Sequence, residues 1–103
     1  MSLVVSELLE QMQVEMERLA LWQATPPTAE QFQSDVPFCM NTMACSQWLQ
    51  WVYIARLKAL IEGDCQLPNG AQVHPYAEEA FKSEGLEAKV LLELIAQLDK
   101  ILA

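Results

Sequence analysis

Residues 48–62 are the segment that most constrains how this 103-residue chain can fold. They read Trp-Leu-Gln-Trp-Val-Tyr-Ile-Ala-Arg-Leu-Lys-Ala-Leu-Ile-Glu. At about 100° per residue on a helical wheel, the apolar side chains of this stretch point in nearly every direction. A helix that is apolar on most sides is normally surrounded by other elements. The segment therefore predicts a central Trp-rich helix inside a compact helical domain.

Length and charge restrict the class of protein. A chain of 103 residues predicts one domain, 1–103, which can bury a sizeable core without disulfide bonds. No apolar run approaches the roughly 20 residues that a membrane span needs. The formal charge is −8, from 14 acidic and 6 basic residues. Nucleic acids and anionic membranes bind basic surfaces, so the charge predicts neither as a direct partner and favours a basic protein.

The cysteines and the N-terminal residues suggest a compartment. Cys39, Cys45 and Cys65 are odd in number and irregular in spacing, which does not predict a disulfide framework. The first residues, Met-Ser-Leu-Val-Val-Ser-Glu, lack a basic segment followed by an apolar one, which is the pattern of a secretory signal. We therefore expect a cytoplasmic protein with buried or incidental thiols.

Hydrophobic periodicity predicts two further long helices, over residues 3–21 and 86–102, each with one apolar and one charged face. The Thr25-Pro-Pro sequence is expected to end the first of them. A short helix is predicted from Pro75 to Gly85. Three long helices and one or two short ones, without a strand, predict an all-α protein that folds as a small helical bundle.

Polar residues between the helices predict their ends. Thr28 to Gln31 fits a capping box and a short helical turn. Asn41 or Thr42 is expected to be the N-cap of the central helix, and Gly63 to end that helix in the left-handed conformation.

Three segments carry a family resemblance: Pro-Phe-Cys-Met-Asn-Thr-Met at 37–43, Trp-Leu-Gln-Trp-Val-Tyr-Ile-Ala-Arg at 48–56, and Pro75-Tyr76. With these segments the whole chain resembles the YqcC-like family of small bacterial proteins. The resemblance implies an all-helical bundle without an established biochemical activity. Members are sometimes labelled by association with a tRNA pseudouridine synthase C. The short chain has neither a recognisable catalytic aspartate motif nor a basic groove, so we expect an accessory protein and not the synthase.

Two positions depart from the pattern that the resemblance implies. Asn41 stands where the family usually has an aspartate, which weakens any role for an acid at that position. Ala55 stands where a proline is usual, so a kink in the central helix is not obligatory.

Arg56 is the most suggestive single residue, because it lies among apolar residues of the central helix. One interpretation is a structural arginine whose stem leads to the surface or whose guanidinium is ion-paired. The other is a pocket for an anionic group. We predict the binding residues for that pocket as Asp35, Phe38, Asn41, Trp51 and Arg56.

No catalytic set, metal site or cofactor is predicted. The only histidine, His74, cannot supply the two Glu-x-x-His pairs of a di-iron bundle. We expect a non-enzymatic protein that docks an apolar and acidic surface on another protein. The alternative is a small bundle that binds an anionic small molecule near Trp51 and Arg56. A homodimer is a further hypothesis, because the apolar faces of the first and last helices are broad.

Overall fold

The computed structural model describes residues 2–70 and 72–103, and within them it shows four helices and no strand. The helices are α1 (Ser2–Arg18), α2, α3 (His74–Ser83) and α4 (Lys89–Ile101). Helix α2 is continuous through three segments, Cys45–Trp48, Leu49–Ile54 and Ala55–Glu62. A single 3-10 turn, Pro37–Cys39, precedes it. The predicted all-α class is therefore confirmed. The radius of gyration of 13.1 Å equals that of a compact chain of this length, about 13 Å.

Helices α1 and α4 pack against each other and supply most of the aliphatic core. Side chains at i, i+3 and i+4 positions form one buried face on each helix. On α1 these are Val5, Leu8, Leu9, Met12 and Met16, and on α4 they are Leu91, Leu94, Ile95 and Leu98. Val90, which the periodicity places on the apolar face of α4, is 48% exposed. Burying these faces removes apolar surface from water, which is the main stabilising contribution to a fold of this kind.

Helix α2 is buried on one side only. Leu49, Tyr53 and Leu57 face the core, whereas Ala55, Arg56 and Ala59 are exposed. Helix α1 packs against the Ala55–Glu62 segment and α3 against the Cys45–Trp48 segment. The prediction of a helix surrounded on most sides is not confirmed, because two helices cover α2 and its remaining side is open.

The middle of α2 is a π-helix over Leu49–Ile54. A π-helix has i to i+5 hydrogen bonds and a wider turn, so residues five apart lie on the same side of the helix. Trp48 and Tyr53 are such a pair, and their rings stack with centroids 5.5 Å apart. A helical wheel with 3.6 residues per turn therefore gives the wrong direction for the side chains that follow Ile54.

Helix α1 ends before the prolines. Its last helical residue is Arg18, and Ala20 takes the left-handed conformation at φ 60°. The Leu21 N–H then donates to the Met16 carbonyl at 2.8 Å, as in a Schellman motif. The predicted end at Thr25-Pro-Pro is wrong, because the Schellman motif already ends the helix at Arg18.

Helices α2 and α3 have the same kind of end as α1. After α2 the left-handed residue is Asp64 (φ 54°), and Gly63 is not left-handed (φ −85°), so that prediction is also wrong. After α3 the left-handed residue is Gly85 (φ 68°), as predicted. The Leu86 N–H donates to the Phe81 carbonyl at 2.9 Å there.

The segment between α1 and α2 is held by side chains that bond the backbone. Thr28 and Gln31 form the predicted capping box, with the Thr28 N–H donating to Gln31 Oε1 at 2.8 Å. Gln31 also donates from Nε2 to the Thr42 carbonyl at 2.9 Å, and Thr42 Oγ1 donates to the Gln31 carbonyl at 2.6 Å. Thr42 is thus occupied in the loop. The N-cap of α2 is Ala44, whose N–H donates to Gln47 Oε1, so the predicted cap at Asn41 or Thr42 is wrong.

Candidate functional site

The open side of α2 contains a shallow depression of about 380 Å³. Its lining residues are Phe32, Trp51, Val52, Ala55 and Arg56. Trp51 and Val52 come from the π segment, Ala55 and Arg56 from the turn that follows, and Phe32 from the loop before α2. Phe32 is 42% exposed, so an aromatic ring at this rim remains in contact with solvent.

A second depression, of about 280 Å³, also includes Trp51. It is lined by Trp22, Gln23, Gln50, Trp51, Ile54, Ala55 and Lys58. The two depressions share Trp51 and Ala55, so they are neighbours on α2. We call the combined area the Trp51 surface and define it by Trp22, Phe32, Trp51, Val52, Arg56 and Lys58.

Hydrogen bonds fix the segment that carries Trp22 against α2. Gln50, only 5% exposed, accepts from the Gln23 N–H through Oε1 at 2.8 Å. Its Nε2 donates to the Gln23 carbonyl, also at 2.8 Å. The Trp51 Nε1–H donates to Gln23 Oε1 at 3.3 Å, which holds the indole at the rim. The nitrogen and the oxygen of the buried Gln50 amide therefore each bond the backbone of Gln23, which satisfies polar groups that would be costly to bury alone.

The π segment explains why Trp51 and Arg56 meet. In a regular α-helix, side chains at positions i and i+5 point about 140° apart around the helix axis. The wider turn of the π segment reduces that angle, so Trp51 and Arg56 lie along the same depression. The sequence pattern predicted both residues, but it placed Arg56 beside Leu49 and Tyr53, which face the core.

The Trp51 surface carries two cations within an acidic protein, and one of them, Lys58, also lines a further depression with Glu10 and Glu62. Arg56 lines the first depression and Lys58 the second. Among the residues whose side chains the structure describes, no Asp or Glu lines either depression. Lys58 Nζ donates to Gln13 Oε1 on α1 at 3.3 Å, whereas Arg56 is exposed. With a net charge of −8 for the whole chain, the acidic residues must lie elsewhere on the surface.

The remaining predicted binding residues do not line this surface. Asp35 is exposed in the loop before α2. Asn41 Oδ1 accepts from Ser34 Oγ at 2.5 Å in the same loop. Phe38 packs in a separate aromatic cluster. The structure thus brings Trp51 and Arg56 together and separates them from Asp35, Asn41 and Phe38, because the loop before α2 folds back on α3 through Phe38.

The aromatic cluster consists of Phe38, Trp48, Tyr53 and Tyr76. The Phe38 ring stacks on Tyr76 with centroids 4.2 Å apart and meets Trp48 edge-on at 5.0 Å. Phe38 and Cys39 are both left-handed, at φ 60° and 51°, which is unusual for residues other than glycine. Packing of the Phe38 ring offsets this local cost. Trp48 is therefore a packing residue, whereas Trp51, the other tryptophan of the predicted helix, borders open depressions.

The cysteines form no reactive centre in this structure. Cys45 is buried, and burial raises the pKa of its thiol to about 12, so the thiol stays protonated at neutral pH. Cys65 is exposed in the turn after α2, and its Sγ lies 3.5 Å from the Gly63 carbonyl oxygen. Over residues 2–70 and 72–103, no three His, Cys, Asp or Glu side chains are grouped so that they could hold a metal ion.

An acidic groove runs between α1 and α4 on a different part of the molecule. Its volume is about 380 Å³, and its lining residues are Glu7, Glu10, Gln11, Val14, Glu15, Val90 and Leu94. Glu15 is paired with Arg18, with Arg18 Nη2 2.6 Å from Glu15 Oε2. The hydrogen bond from Arg18 lowers the pKa of Glu15. Glu7 and Glu10 are exposed, and so are the apolar side chains of Val14 (64%) and Val90 (48%).

A third concave area lies where α3 begins beside the end of α4. It measures about 470 Å³ and includes His74, Asp99 and Lys100. The Asp99 carboxylate accepts from the N–H groups of Val73 (3.0 Å) and His74 (2.8 Å) and so caps α3 from another helix. Asp99 is therefore engaged in a structural role. None of the described helices is long and apolar enough to cross a membrane.

The fold defines a small protein of four helices with shallow surface depressions, and the comparisons with known proteins assign its family. A family model, DUF446, described as tRNA pseudouridine synthase C, matches residues 4–101. The chain belongs to this family. It is 47% identical over 88 residues to an uncharacterised protein of Haemophilus influenzae, a match that covers 85% of this chain and 83% of that protein.

Two comparisons with Escherichia coli YqcC agree with this assignment. The sequences are 35% identical over 82 residues, which are 80% of this chain and 75% of the uncharacterised protein YqcC. The solution NMR structure of that protein superposes with a TM-score of 0.84 at 30% identity, and covers 99% of this chain and 87% of that one. The resemblance to the YqcC-like family is therefore confirmed.

A third relative has a different size. A protein of Pectobacterium carotovorum, named tRNA pseudouridine synthase C, is 45% identical over 47 residues. The match covers 46% of this chain but only 12% of that protein. The similarity therefore concerns a small part of the protein that carries the enzyme name.

Proposed function

We propose that this chain is a cytoplasmic, non-enzymatic accessory protein whose acidic groove docks on a basic surface of a partner protein. The observation that carries the proposal is the combination of exposed apolar and unpaired acidic side chains in one groove. Val14 and Val90 supply exposed apolar area, and Glu7 and Glu10 supply charge beside it. Exposed apolar patches with polar rims are typical of interaction sites.

The charge of the groove favours a particular kind of partner. Two exposed glutamates at i and i+3 on α1 attract Lys and Arg side chains, and they repel a second copy of the same groove. A partner with a basic surface is therefore a better fit than a homodimer through this groove. Proteins that bind RNA carry such surfaces, because Lys and Arg neutralise the phosphates.

The comparisons suggest the first partner to test. The family description and the Pectobacterium relative both carry the name tRNA pseudouridine synthase C. In that relative the similar segment is a small fraction of a longer chain. These names support a role beside such an enzyme, in which the acidic groove contacts its basic surface.

The chemistry of the described side chains supports a role without catalysis. The buried Cys45 thiol is protonated at neutral pH and is not a nucleophile. Asp99 is used as a cap for α3. The Trp51 surface offers cations and aromatic rings, which bind ligands but do not by themselves complete a catalytic set.

Calorimetry with a purified tRNA pseudouridine synthase C of the same bacterial group tests this proposal. We expect saturable binding that weakens as salt is raised, because the contact is partly electrostatic. The double variant Glu7→Gln and Glu10→Gln should bind about five-fold more weakly or worse at low salt. The matched control is Glu78→Gln with Glu79→Gln, which removes the same charge from exposed positions of α3.

Three results would contradict the proposal. The first is that the synthase does not bind. The second is that both double variants lose the same affinity, which would indicate a general effect of net charge. The third is a dimer of the protein alone in sedimentation equilibrium that Val14→Lys converts to a monomer, because the groove would then be a contact between two copies.

A second candidate function is the binding of an anionic small molecule at the Trp51 surface. The supporting observation is that Trp51 and Arg56 line one depression without a carboxylate among the described lining residues. A ligand of this kind should raise the unfolding temperature of the protein by mass action. The acidic groove and the depression that contains Arg56 share no lining residue, so variants of Arg56 test the second function independently. Glu10 of the groove and Lys58 of the Trp51 surface do line one further depression together.

A further inference from the structure

The two depressions of the Trp51 surface repeat the same chemistry. Trp51 contributes to both. The first adds the ring of Phe32 and the guanidinium of Arg56, and the second adds the ring of Trp22 and the ammonium of Lys58. Each depression therefore combines Trp51 with a second aromatic residue and a cation.

We propose that the Trp51 surface binds a nucleotide, with the aromatic base against Trp51 and the phosphate at Arg56. The inference rests on the second candidate function and adds the chemical class of the ligand. Nucleobases stack on aromatic side chains, and a guanidinium binds phosphate through two parallel hydrogen bonds. An aliphatic anion would use Arg56 but leave the aromatic rings without a role.

The first depression is the primary site for this ligand. Its volume of about 380 Å³ lies within the range of small-molecule sites, roughly 300–1,000 Å³. Arg56 is exposed, whereas Lys58 already donates to Gln13 at 3.3 Å. The Gln50 and Gln23 hydrogen bonds hold Trp51 in place before the ligand arrives, which reduces the entropy lost on binding.

The charge of the whole protein distinguishes a free nucleotide from a nucleotide within a strand. Fields are screened beyond about 8 Å at physiological ionic strength, so one phosphate at Arg56 senses mainly its local cation. A longer strand would bring further phosphates toward a surface whose net charge is −8. A free mononucleotide is therefore favoured, and strand length should add little affinity.

NMR titration of the full folded chain with uridine 5′-monophosphate tests the inference. The chain has three tryptophans, so the indole N–H signals can be assigned individually. We expect the Trp51 indole signal and the amides of Phe32 and Arg56 to shift and saturate. The Trp48 signal should stay in place, since that ring belongs to the aromatic cluster.

Three further probes separate the parts of the ligand. Uridine carries the base without the phosphate, and ribose 5-phosphate carries the phosphate without the base; each should bind about ten-fold more weakly, as expected for the loss of one good contact. A hexamer of uridylate tests whether the ligand is a free nucleotide or a nucleotide within a single strand. Equal affinity for the hexamer and the mononucleotide assigns the site to free nucleotides, whereas a hexamer at least about ten-fold tighter assigns it to a single strand.

One exposed arginine and one exposed lysine provide a matched pair of variants. Arg56→Gln should weaken uridine 5′-monophosphate binding about ten-fold, and Lys82→Gln on α3 should leave it unchanged. Both residues are exposed, so neither substitution should disturb the core. An unchanged amide spectrum away from the substituted residue verifies that each variant is folded. Trp51→Phe keeps a ring at the site but removes the indole signal, and the amides of Phe32 and Arg56 should still shift and saturate, with weaker binding.

Several outcomes would overturn the inference. Equal losses for Arg56→Gln and Lys82→Gln would indicate unspecific attraction, and ribose 5-phosphate binding as well as the nucleotide would leave the rings without a role. An acidic synthetic peptide that shifts the Trp51 signal when uridine 5′-monophosphate does not would assign the surface to a protein partner. The Glu7→Gln, Glu10→Gln variant should titrate normally, so a failure here is distinguishable from a failure of the acidic groove.

Discussion

The α1–α4 side and the open α2 side of this protein differ in both geometry and chemistry. The α1–α4 side has regular α-helices, an aliphatic core and an acidic groove. The open α2 side has a π-helix, aromatic rings and the cations of Arg56 and Lys58. The net charge of −8 therefore hides a local cationic surface. A whole-chain charge consequently indicates which partners are favoured on average but does not describe a particular site.

The difference also shows how a local change in helix geometry creates a site. On α1 and α4 every buried residue follows the i, i+3, i+4 rule. On α2 the π segment rotates the following residues, so that Trp51 and Arg56 share a depression while Leu57 still reaches the core. The core is thus built mainly from regular helix faces, and the side of α2 that carries Arg56 stays exposed.

The largest expected effect compares the same substitution on the two sides. Leu9 on α1 is fully buried, and Leu9→Ala should lower the free energy of unfolding by about 2–5 kcal/mol because a cavity remains. Leu60 on α2 is half-buried, and Leu60→Ala should cost less than about 1.5 kcal/mol. Urea unfolding monitored by circular dichroism gives both values. Equal costs would show that the α2 side carries as much of the core as the α1–α4 side.

A medium effect is expected at the hydrogen bonds that support the Trp51 surface. Gln50→Leu leaves the N–H and the carbonyl of Gln23 without their partner, which should cost about 1–3 kcal/mol. Hydrogen exchange should also become faster at the Gln23 amide. Gln97 on α4 is exposed, and Gln97→Leu serves as the control, with a change within about 0.5 kcal/mol. Unchanged exchange at Gln23 in Gln50→Leu would mean that other contacts hold this segment.

The smallest effect concerns the ends of α1 and α3, which use the same backbone motif with different residues. Ala20 is left-handed after α1, so Ala20→Gly should raise the free energy of unfolding by about 0.5–1 kcal/mol. Gly85 is left-handed after α3, and Gly85→Ala should lower it by about 1 kcal/mol. Thermal unfolding of the two variants measures the opposite signs. A loss of stability in Ala20→Gly would show that Ala20 is not strained in solution.

Most of the fold could be predicted from the sequence, and the candidate site only in part. The helical class and the buried faces of α1 and α4 followed from periodicity, because a regular α-helix repeats the same angle at each residue. The pairing of Trp51 with Arg56 was predicted, but Phe32 and Lys58 were missed and Trp22 was not placed with them. Phe32 and Trp22 lie in connections, and no periodic pattern places a connection against a particular helix.

Two features of the site explain why the sequence did not predict it fully. Lys58 is two residues from Arg56, and its position at the second depression depends on the turn that follows the π segment. Asp35, Phe38 and Asn41 were grouped with Trp51 because they precede α2 in the chain. Nearness in sequence was misleading here, since the strained Phe38 turn directs its ring onto Tyr76.

The sequence by itself determined the helical class, the acidic net charge and the two amphipathic faces that pack as α1 and α4. These properties depend on composition and on a repeat that each helix carries within itself. The tertiary structure decided which side of α2 stays open, where the π segment widens the helix, and which loop residues meet Trp51. Those features depend on contacts between residues far apart in the chain, such as Gln50 with Gln23, and no local pattern encodes them.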